Sequence, residues 1–588
     1  MPIRLDFADP QGGETRLRCA FEAPTDTLVA HTPEQVQPLL DAVQAHAQAG
    51  RWCVGYLRYE AASAFDKALL THPANGPLAW FGVFEHALPW PPGPPAPADA
   101  VAPTQVQWHS PLSREQFDNN LATIHEAIGA GEYYQVNYTA PLHGDFVGSA
   151  PELFARLQQA QPGGYAAFIN TGEAQILSVS PELFFDWDGG TAGGNILTRP
   201  MKGTAPRGTT AQEDAALVQG LTASPKECAE NVMIVDLLRN DLSRIALPHT
   251  VQVPRLFAVQ TLPTVHQMVS DVTAQTRPGT SLREVFAALF PCGSITGDPK
   301  VRAMQAIHDL EAEPRGVYCG AIGVVRPGGH ATFNVAIRTV TRQGTQARCG
   351  IGSGITYDAT ADNEWREWQH KRGFLERASE PFALLETLRL QGGVFHNLGA
   401  HLSRLARAAR HFGYPYDEAA VRTALQALLD PNTPQDDGVA WRVRLLLDAQ
   451  GTAFAEKFIQ NSTPAQVMIG LAATDFEAAQ SEFTRFKTTR RSHYEAFAPT
   501  DPAIFDTLLY NERGELTECT RGNIAVLLDG QWLTPALHCG LLDGVGRAHF
   551  ITQGHLKVAV IRLDDLPRAQ GWAFVNSLRG WVNARLCT

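Results

Sequence analysis

Residues 316–340 read GVYCGAIGVVRPGGHATFNVAIRTV, which is the clearest secondary-structure signal in this sequence. Short runs rich in valine, isoleucine and phenylalanine are separated by glycines, a pattern typical of strands joined by tight turns. Residues 165–185 show the same pattern. No helical segment separates the runs, so the pattern favours antiparallel sheet over regular βαβ units.

Upstream of these strands, the sequence predicts a helix. Ser113 and Gln116 have the spacing of a capping box. Apolar residues then recur at helical spacing at Phe117, Leu121, Ile124 and Ile128, before glycines at 129 and 131. Strand-rich and helical segments therefore occupy separate runs, and the first part of the chain is predicted to be α+β.

A second domain is predicted to begin near residue 376. The charged helix pattern EWREWQHKRGFLERASE, residues 364–380, gives way to a new succession of strand, turn and helix signals from Phe382 onward. We place the domains at 1–375 and 376–588. No internal repeat relates them, so the chain combines two unlike modules.

Composition excludes several classes of protein. The 588 residues carry a formal charge of -12 and no sustained Lys/Arg run, which argues against nucleic-acid binding. Nine cysteines without a CxxC pair predict neither a disulfide framework nor structural zinc, as expected of a cytoplasmic protein. No run of about 18 apolar residues suggests a membrane span, and the N-terminus lacks signal-peptide character.

Four segments of the first domain carry polar residues that a plain core does not need. They are RPMKGTAPRG (199–208), SPKECAENVMIVDLLRNDL (224–242), GSITGDPKVRAM (293–304) and GIGSGITYDATADNEWREWQHK (350–371). Lys202 is predicted to lie on a short turn. The glycine turn before residue 300 offers free N–H groups to an anion. Taken singly, each segment is also compatible with an ordinary solvated surface.

Two of these segments place acidic side chains on helices. Glu227 and Glu230 share one helical face, as do Glu364 and Glu367, and Lys371 follows Glu367 by one turn. Carboxylates from two helices suit Mg²⁺, which prefers oxygen ligands and keeps waters or substrate in its shell. A surface salt bridge between positions i and i+4 is the alternative.

In this order the segments resemble the chorismate-utilising enzymes. The resemblance covers roughly residues 50–375 and includes YYQVNYT (133–139), SVSPELFF (178–185), RGVYCGAIG (315–323) and FNVAIRT (333–339). It implies two large antiparallel sheets with surrounding helices. It also implies chorismate as the substrate.

The resemblance assigns roles to single residues. Glu230 and Glu367, with Glu227 and Glu364 beside them, are implied as Mg²⁺ ligands. Glu182 matches the general acid that protonates the departing C4 hydroxyl. The implied substrate-binding residues are Arg338 and Lys371, which meet a carboxylate, together with Thr296, Gly297, Gly352 and Ser353.

Lys202 decides the branch within the family. The motif PMKGT resembles PIKGT of aminodeoxychorismate synthases, whereas anthranilate synthases commonly have alanine at the lysine position. A neutral Lys202 amine can attack C2 of the ring, and ammonia then resolves the adduct at C4; this requires a lowered pKa for Lys202. Isochorismate-type enzymes have a lysine base where this chain has Gln135.

Two features of the first domain bear on its partners and its anion site. Asp298 replaces the alanine of the family's GSITGAPK motif, which puts an acid beside the loop expected to meet an anion. No glutaminase-like cysteine motif occurs in the chain, so ammonia is expected from a separate glutamine amidotransferase subunit or from solution.

The second domain contains the residues that pyridoxal phosphate chemistry needs. HLSRLARAARHFG (401–413) contains Arg404, FKTTRRSHYE (486–495) contains Lys487, and NERGELTECTRGNIAV (511–526) contains Glu518 and Thr520. Such an enzyme needs a lysine for the covalent link, a carboxylate for the pyridine nitrogen, and donors for the phosphate. Each residue alone also has an ordinary surface interpretation.

With TPALHCGLLDGVGR (534–547), this order resembles class IV aminotransferases from about residue 384 to 579. It implies an α/β domain in which Lys487 binds pyridoxal 5'-phosphate and Glu518 pairs with the ring nitrogen. Arg404, Thr520, Val545 and Gly546 are implied as phosphate ligands. Gly546 replaces a side-chain donor of many relatives, so weaker cofactor binding is expected.

The two resemblances together predict a bifunctional enzyme of p-aminobenzoate synthesis in the folate pathway. The first domain would make 4-amino-4-deoxychorismate and the second would eliminate pyruvate from it. The alternatives are an anthranilate synthase or chorismate-binding regulator in front, and a transaminase or non-catalytic dimerisation module behind. A homodimer through the second domain is expected.

Overall fold

The computed structural model describes residues 2–13, 15–91, 104–189, 193–208, 211–262, 265–429 and 439–587. The chain forms two compact units, Met1–Glu380 and Pro381–Thr588. The sequence places the boundary between residues 375 and 376, whereas the last helix of the first unit continues to Ser379.

The first unit contains strands β1 to β20 and helices α1 to α8. Its strands are β1 (Ile3–Phe7), β2 (Leu17–Phe21), β3 (Asp26–Ala30), β4 (Trp52–Leu57), β5 (Ala79–Phe84), β6 (Leu88–Pro89), β7 (Gln105–His109), β8 (Gln135–Val147), β9 (Tyr165–Asn170), β10 (Gln175–Ser180), β11 (Leu183–Trp187), β12 (Asn195–Arg199), β13 (Met201–Pro206), β14 (Gln252–Thr261), β15 (Val265–Gln275), β16 (Gly297–Asp298), β17 (Ala321–Val325), β18 (Ala331–Val335), β19 (Thr339–Gln343) and β20 (Gln346–Ile355). Its helices are α1 (Pro33–Gln48), α2 (Arg114–Gly129), α3 (Ala150–Ala160), α4 (Ala211–Ala223), α5 (Pro225–Ser243), α6 (Leu282–Leu289), α7 (Lys300–Leu310) and α8 (Ala361–Ser379).

These strands form two ten-stranded antiparallel sheets in the described residues. The first sheet has the order β16-β8-β20-β19-β10-β9-β1-β2-β6, with β7 paired to β8. The second has the order β13-β15-β12-β11-β18-β17-β4-β5-β3, with β14 paired to β15. The predicted α+β class with two large antiparallel sheets is confirmed.

The sheets pack face to face, with helices on their outer sides. One apolar cluster joins the two sheets and includes Leu5 and Ile176 of the first with Tyr56 and Ile322 of the second. A second cluster packs α1, α5 and α6 on the second sheet, and a third packs α2, α3, α7 and α8 on the first. Strand β17 is buried at every position because both of its faces are covered.

Local sequence signals agree with these elements. Ser113 accepts a hydrogen bond from the amide of Gln116 and completes the predicted capping box of α2, which ends at Gly129. The stretch that begins at residue 316 forms the hairpin β17–β18, in which Ala321 pairs with Val335. The chain then crosses to the first sheet as β19.

The second unit contains strands β21 to β32 and helices α9 to α13. Its strands are β21 (Leu384–Gln391), β22 (Val394–Phe395), β23 (Ala440–Leu447), β24 (Ala453–Ile459), β25 (Gln466–Leu471), β26 (Asp506–Tyr510), β27 (Leu516–Cys519), β28 (Asn523–Leu528), β29 (Gln531–Pro535), β30 (Lys557–Ala559), β31 (Gly571–Asn576) and β32 (Gly580–Cys587). Its helices are α9 (Leu398–Phe412), α10 (Glu418–Gln426), α11 (Glu482–Arg485), α12 (Ser492–Glu495) and α13 (Val545–Thr552).

The second unit has one antiparallel sheet and one mixed sheet. The order β22-β21-β23-β24 makes the four-stranded antiparallel sheet, and β27-β26-β25-β32-β31-β28-β29-β30 makes the eight-stranded sheet. Parallel pairs join β25 to β26 and β32, and β29 to β30. Throughout the described ranges, no helix is both long and apolar enough to cross a membrane.

Candidate functional site

Lys202 lies on an irregular edge strand rather than on a free turn. It belongs to β13, whose register against β15 shifts between Met201 and Thr204. Such bulges turn side chains out of the regular alternation. The amide of Asn231 donates to the carbonyl of Lys202 at 3.3 Å, and the side chain of Gln267 donates to the carbonyl of the next residue at 2.8 Å. The position of Lys202 is therefore fixed by helix α5 and strand β15.

The charge state of Lys202 differs from the expectation. Its Nζ lies 2.9 Å from Oε2 of Glu230. Burial alone would lower the pKa of Lys202, but the negative charge of Glu230 and the hydrogen bond to it outweigh burial and raise this pKa. The expected lowering of the Lys202 pKa is thus wrong for this arrangement, because the nearest carboxylate forms an ion pair with the amine.

The side-chain ends of Lys202 and Gln135 both lie next to Gly354 of β20. A β-carbon added at Gly354 would lie 2.7 Å from Nε2 of Gln135 and 2.8 Å from Nζ of Lys202. Gln135 is fully buried, yet neither its amide nitrogen nor its carbonyl oxygen has a hydrogen-bond partner in the described part of the chain. A buried amide without a partner is costly and marks a place where a ligand can bind.

Glu182 is a buried carboxyl beside this pair. Burial raises the pKa of Glu182 to about 7, although a hydrogen bond from Ser294 and the charges of Lys202 and Lys371 oppose the shift. Oγ of Ser294 donates to Oε1 of Glu182 at 2.7 Å. A carboxyl with this pKa can hold a proton near neutrality and donate it.

Arg338 lies where the chain crosses from β18 to β19. Its φ of 51° is in the left-handed region, which is uncommon for a residue other than glycine. Its Nη1 donates to the carbonyl of Lys371 at 2.8 Å, and its guanidinium stacks over Phe374 at 4.8 Å. Burial lowers the pKa of Arg338 to about 10, so the side chain remains cationic at neutral pH.

Gly352 and Ser353 lie in β20 and form hydrogen bonds with side chains of helix α8. Nζ of Lys371 donates to the carbonyl of Gly352 at 2.9 Å. The hydroxyl of Ser353 donates to Glu364 and accepts a hydrogen bond from Nε1 of Trp368 at 2.9 Å. The Gly352 carbonyl therefore contacts the Lys371 amine, whereas the Ser353 hydroxyl is hydrogen-bonded to side chains of α8.

Thr296 and Gly297 form a turn that packs against β8. The carbonyl of Thr296 accepts from the amide of Asn137 at 2.8 Å, and its hydroxyl donates to the carbonyl of Cys292 at 3.1 Å. Gly297 has a φ of 136°, and a β-carbon there would lie 2.2 Å from the carbonyl oxygen of Gln135. The turn requires glycine at this close approach.

Asp298 is a half-buried acid of the turn that precedes α7. Its backbone pairs with Gln135, and burial raises the pKa of its carboxyl. Burial raises the pKa of Asp241, and the charge of Asp298 adds to this shift, whereas the ion pair of Asp241 with Lys300 at 2.8 Å opposes it. Asp298, which stands where the family motif has alanine, therefore interacts electrostatically with the Asp241–Lys300 ion pair.

The four carboxylates predicted for a metal lie on α5 and α8. Burial raises the pKa of Glu227, and the charges of Glu230 and Glu367 raise it further, so both helices contribute to one acidic region. Glu367 is paired with Lys371 at 2.7 Å. Within the described ranges, no three acidic, histidine or cysteine side chains form a ready-made metal cluster. Glu230 and Glu367 fit Mg²⁺ if water and substrate complete its shell.

In the second unit, Lys487 carries an amine without a partner among the described residues. It follows α11 and directly precedes Thr488, which bridges to Leu384 of β21. Burial lowers the pKa of Lys487 to about 7, helped by the charges of Arg491 and Arg404. A lysine with this pKa is partly neutral at neutral pH and is a suitable nucleophile.

Glu518 lies at the end of β27 and is held by three donors. Tyr494 Oη donates to it at 2.7 Å, the amide of Leu542 at 3.2 Å, and the side chain of Asn523 at 3.4 Å. Burial raises the pKa of Glu518 to about 7. The carboxyl therefore has the acidity needed to share a proton with a pyridine nitrogen.

The N-terminus of α13 forms a cup for an anion. The first amides of a helix, here from Val545, have no partner within the helix. A β-carbon at Gly546 would lie 2.5 Å from the carbonyl carbon of Asn576 and 2.7 Å from the amide of Ser577. Gly546 is therefore required by close packing, and the backbone amide of Ser577 lies beside it.

Arg404 borders this cup and is fixed by a buried carboxylate. It donates from Nε and Nη2 to Glu386 at 2.8 and 2.7 Å, and from Nη1 to the carbonyl of Asp543 at 3.1 Å. His401 accompanies it and lies 2.8 Å from Oγ of Ser577. Helix α9 and the turn before β32 therefore both lie beside the N-terminus of α13. Their donors and the helix amides together suit a phosphate group.

Thr520 differs from its predicted role. Its hydroxyl donates to Oδ1 of the buried Asp506 at 2.6 Å, and its amide donates to the same oxygen at 3.1 Å. Its carbonyl accepts from Nη2 of Arg491 at 2.5 Å. Both Thr520 donors are thus committed to Asp506, because β26 and β27 bring that carboxylate next to them.

Several residues of the two sites have no signal in the sequence that marks them. In the first unit these are Ser294, which donates to Glu182, and Tyr318, whose ring covers Gly350. In the second unit they are Arg491, Tyr494 and Ser577. Ser294 and Tyr318 lie inside quoted motifs, but a single sequence does not reveal which of their neighbours they face.

Each unit matches a family of known proteins. Residues 5–377 match the chorismate binding enzymes, and residues 383–587 match amino-transferase class IV. Aminodeoxychorismate synthase component 1 of Escherichia coli (strain K12) is 40% identical over 260 residues, which are 44% of this chain and 56% of that protein. Anthranilate synthase component 1 of Aquifex aeolicus (strain VF5) is 33% identical over 278 residues, which are 47% of this chain and 56% of that protein.

A solved structure supports the fold of the first unit. The crystal structure of anthranilate synthase component I from Streptococcus pneumoniae TIGR4 covers 63% of this chain and 89% of its own, with a TM-score of 0.51 and 24% identity. The likeness concerns the fold. The chain spans little more than half the length of the two curated relatives.

Proposed function

Since the chain belongs to the chorismate binding enzyme family, we propose that its first unit converts chorismate and ammonia into 4-amino-4-deoxychorismate and water. The supporting observation is the meeting of Lys202 and Gln135 above Gly354, with the carboxyl of Glu182 close by. A lysine nucleophile stands there, and glutamine replaces a second lysine that would activate water. The name of the Escherichia coli relative agrees with this branch.

The proposed reaction has two steps at the ring. The attacking Nζ of Lys202 must be neutral, so Glu230, which forms an ion pair with it at 2.9 Å, would release it when it holds Mg²⁺, and the amine would lose its proton to solvent. The neutral amine then forms a bond to C2 while the C4–O bond breaks, and Glu182 gives its proton to the departing hydroxyl. Ammonia then forms the bond to C4 and the C2–N bond breaks, which restores Lys202. Arg338 and Lys371 hold the substrate carboxylate by charge-assisted hydrogen bonds.

A divalent cation belongs to this proposal. Glu230 and Glu367 would hold Mg²⁺, with Glu227 and Glu364 adjacent. When bound, Mg²⁺ neutralises a substrate carboxylate and positions the ring.

For the second unit we propose the elimination of pyruvate from 4-amino-4-deoxychorismate to give p-aminobenzoate. Pyridoxal phosphate, which the class IV match suggests, supplies an electron sink for loss of the C4 proton. Lys487 would take that proton, the C3–O bond breaks as the ring becomes aromatic, and the departing enolpyruvate regains a proton to become pyruvate. Glu518 would keep the cofactor's ring nitrogen protonated. Arg404, Ser577 and the amides at Val545 and Gly546 would hold the phosphate.

Ammonia delivery requires a partner in this proposal. The chain carries no glutaminase-like cysteine motif, and the curated relatives are named as components. A separate glutamine amidotransferase subunit would therefore supply ammonia in the cell. Free ammonium replaces that partner in the test below.

Product identity tests both halves. Chorismate, Mg²⁺, ammonium and pyridoxal phosphate are incubated with wild type, Lys202→Ala and Lys487→Ala, with Lys557→Ala as a control for an exposed lysine. We expect p-aminobenzoate and pyruvate from wild type and control, loss of most activity in Lys202→Ala, and accumulation of 4-amino-4-deoxychorismate in Lys487→Ala. Anthranilate as the main product would contradict the first half. Conversion of added aminodeoxychorismate that does not depend on Lys487 would contradict the second.

A further inference from the structure

Arg491 is a cationic residue of the second unit that has no role in the predicted site or in the proposed reaction. It lies four residues after Lys487 and caps the short helix α12. Its side chain is half-buried. Its place in the chain therefore brings a guanidinium to the lysine that is predicted to bind the cofactor.

Two contacts fix the direction of this side chain. Nη2 of Arg491 donates to the carbonyl of Thr520 at 2.5 Å, and the guanidinium carbon lies 4.4 Å from the ring centre of Tyr494. Tyr494 in turn donates its hydroxyl to Glu518 at 2.7 Å. The guanidinium therefore lies beside Tyr494, the tyrosine that binds Glu518, and against Thr520, which directly follows β27.

Arg491 forms no ion pair in the part of the chain that the structure describes, although its charge acts on Glu518. Among the described residues, no carboxylate lies within ion-pair distance of it, and its Nε and Nη1 donate no hydrogen bond. Arg404 contrasts with it, since Glu386 pairs with that guanidinium at 2.7 Å. Among charged residues, Arg491 has the largest effect on the pKa of Lys487. An unpaired, partly desolvated cation beside a reactive amine favours an anionic ligand.

The proposed reaction involves only a few anions that Arg491 could bind. The phosphate has its own cup at α13, with Arg404, Ser577 and free amides. What remains is the substrate, which carries one carboxylate on the ring and one on the enolpyruvyl group. A guanidinium whose Nε and Nη1 have no acceptor among the described residues matches a carboxylate better than any neutral part of this molecule.

We propose that Arg491 binds a carboxylate of the substrate in the second unit and so selects amines that carry an acid group. This inference rests on the proposed function, because that function supplies the dicarboxylate. The carboxylate is either that of the ring or that of the enolpyruvyl group. The first persists in the product p-aminobenzoate and the second in pyruvate, so the two products are separate probes.

The test measures equilibrium binding to the full chain loaded with pyridoxal phosphate. 4-Aminobenzoate, pyruvate and the uncharged 4-aminobenzamide are titrated, with the cofactor's absorbance as the signal. The proteins are wild type, Arg491→Gln, Arg491→Lys and the neighbouring control Arg490→Gln. Pyridoxal phosphate affinity is measured in parallel for each protein.

We expect Arg491→Gln to weaken the binding of one of the two acids about tenfold or more. Arg491→Lys should recover part of this lost affinity. The affinity for 4-aminobenzamide should stay unchanged. Cofactor affinity should remain within about twofold of wild type if no cofactor bond is lost. In turnover, KM should rise more than kcat falls. Loss of the ring acid's affinity identifies the ring carboxylate, and loss of pyruvate affinity identifies the other.

Two results would overturn the inference. Unchanged affinity for both acids in Arg491→Gln would remove any carboxylate role, and an equal loss of cofactor affinity would reassign Arg491 to the cofactor. A wild type that binds neither acid above the amide would instead refute the lyase assignment, and the carboxylate role with it. Failure of Arg491 alone is thus distinguishable from failure of the proposed function.

Discussion

Glu182 and Glu518 are buried carboxyls in different units, and burial raises the pKa of each to about 7. Their donors differ. Glu182 accepts from Ser294, whereas Glu518 accepts from Tyr494 and the amide of Leu542. The same physical effect therefore prepares one carboxyl to give a proton to a leaving group and the other to share a proton with a ring nitrogen.

Ser294 tunes the acidity of Glu182. Its hydrogen bond favours the charged carboxylate, so Ser294→Ala should raise the pKa of Glu182 above about 7. A general acid works only while protonated, and activity is lost as pH rises through this pKa. We therefore expect the alkaline limb of kcat/KM against pH to move upward in Ser294→Ala. An unmoved limb would contradict the role of Glu182 as the acid.

Gly354 should not tolerate a side chain. A β-carbon there meets both Gln135 and Lys202 within 2.8 Å, so Gly354→Ala should displace them and lower kcat/KM for chorismate about tenfold or more. Gly373→Ala on α8 is the matched control, since nothing lies within 4 Å of its added carbon. Equal activity of the two variants would show that the pair does not act on substrate.

Helix α13 and the turn between β31 and β32 form one anion cup. Gly546→Ala should force Asn576 and Ser577 away from the helix N-terminus, because the added carbon lies 2.5 Å from the backbone. The Kd for pyridoxal phosphate should rise about tenfold. Gly399→Ala on α9 has free space within 4 Å and should leave this Kd unchanged.

Helix α9 is joined to β21 by a buried ion pair. Burial opposes ionisation of Glu386, but the charge of Arg404 and hydrogen bonds from Arg404 and His401 lower its pKa from 4.5 to about 2. The resulting stability is present above pH 4.5 and is lost as pH falls through 2. It amounts to about 3 kcal/mol.

Acid unfolding of wild type and Glu386→Gln measures what this ion pair contributes to the free energy of unfolding. The wild type should lose about 3 kcal/mol of unfolding free energy more than the variant as the pH falls from 4.5 to 2. At neutral pH the variant should be less stable by about 3 to 5 kcal/mol, because Arg404 is left buried without its partner. Parallel acid profiles for the two proteins would disprove the coupling.

At the scale of the whole molecule, each unit has its own apolar clusters. The clusters of the first unit lie between and around its two sheets, and those of the second lie on α9 and within the mixed sheet. Units that each have their own apolar clusters are expected to unfold as separate cooperative units.

Calorimetry of the full chain should resolve two transitions. Pyridoxal phosphate at 100 times its Kd should stabilise one of them by about 2.7 kcal/mol, which raises its Tm by about 5 to 10 °C. The other transition should respond to chorismate with Mg²⁺. Glu386→Gln should lower only the transition that responds to pyridoxal phosphate. A single transition that responds to both ligands would contradict independent units.

Several features were readable from the sequence because they depend on local patterns. Strand-rich runs with glycines predicted antiparallel sheet, and the spacing from Ser113 to Ile128 predicted α2. The motifs around Lys202 and Lys487 indicated two families, since those residue types recur with the chemistry they perform. The change of pattern after residue 364 also indicated a second unit.

The tertiary structure alone decided which groups face one another. Glu230 pairs with Lys202 and raises its pKa, Asp506 takes the donors of Thr520, and Ser577 stands beside Gly546. Hydrogen bonds, burial and Coulomb energy depend on distances of a few ångströms between residues far apart in sequence. Spacing along the chain does not encode those distances, and packing of the sheets sets them.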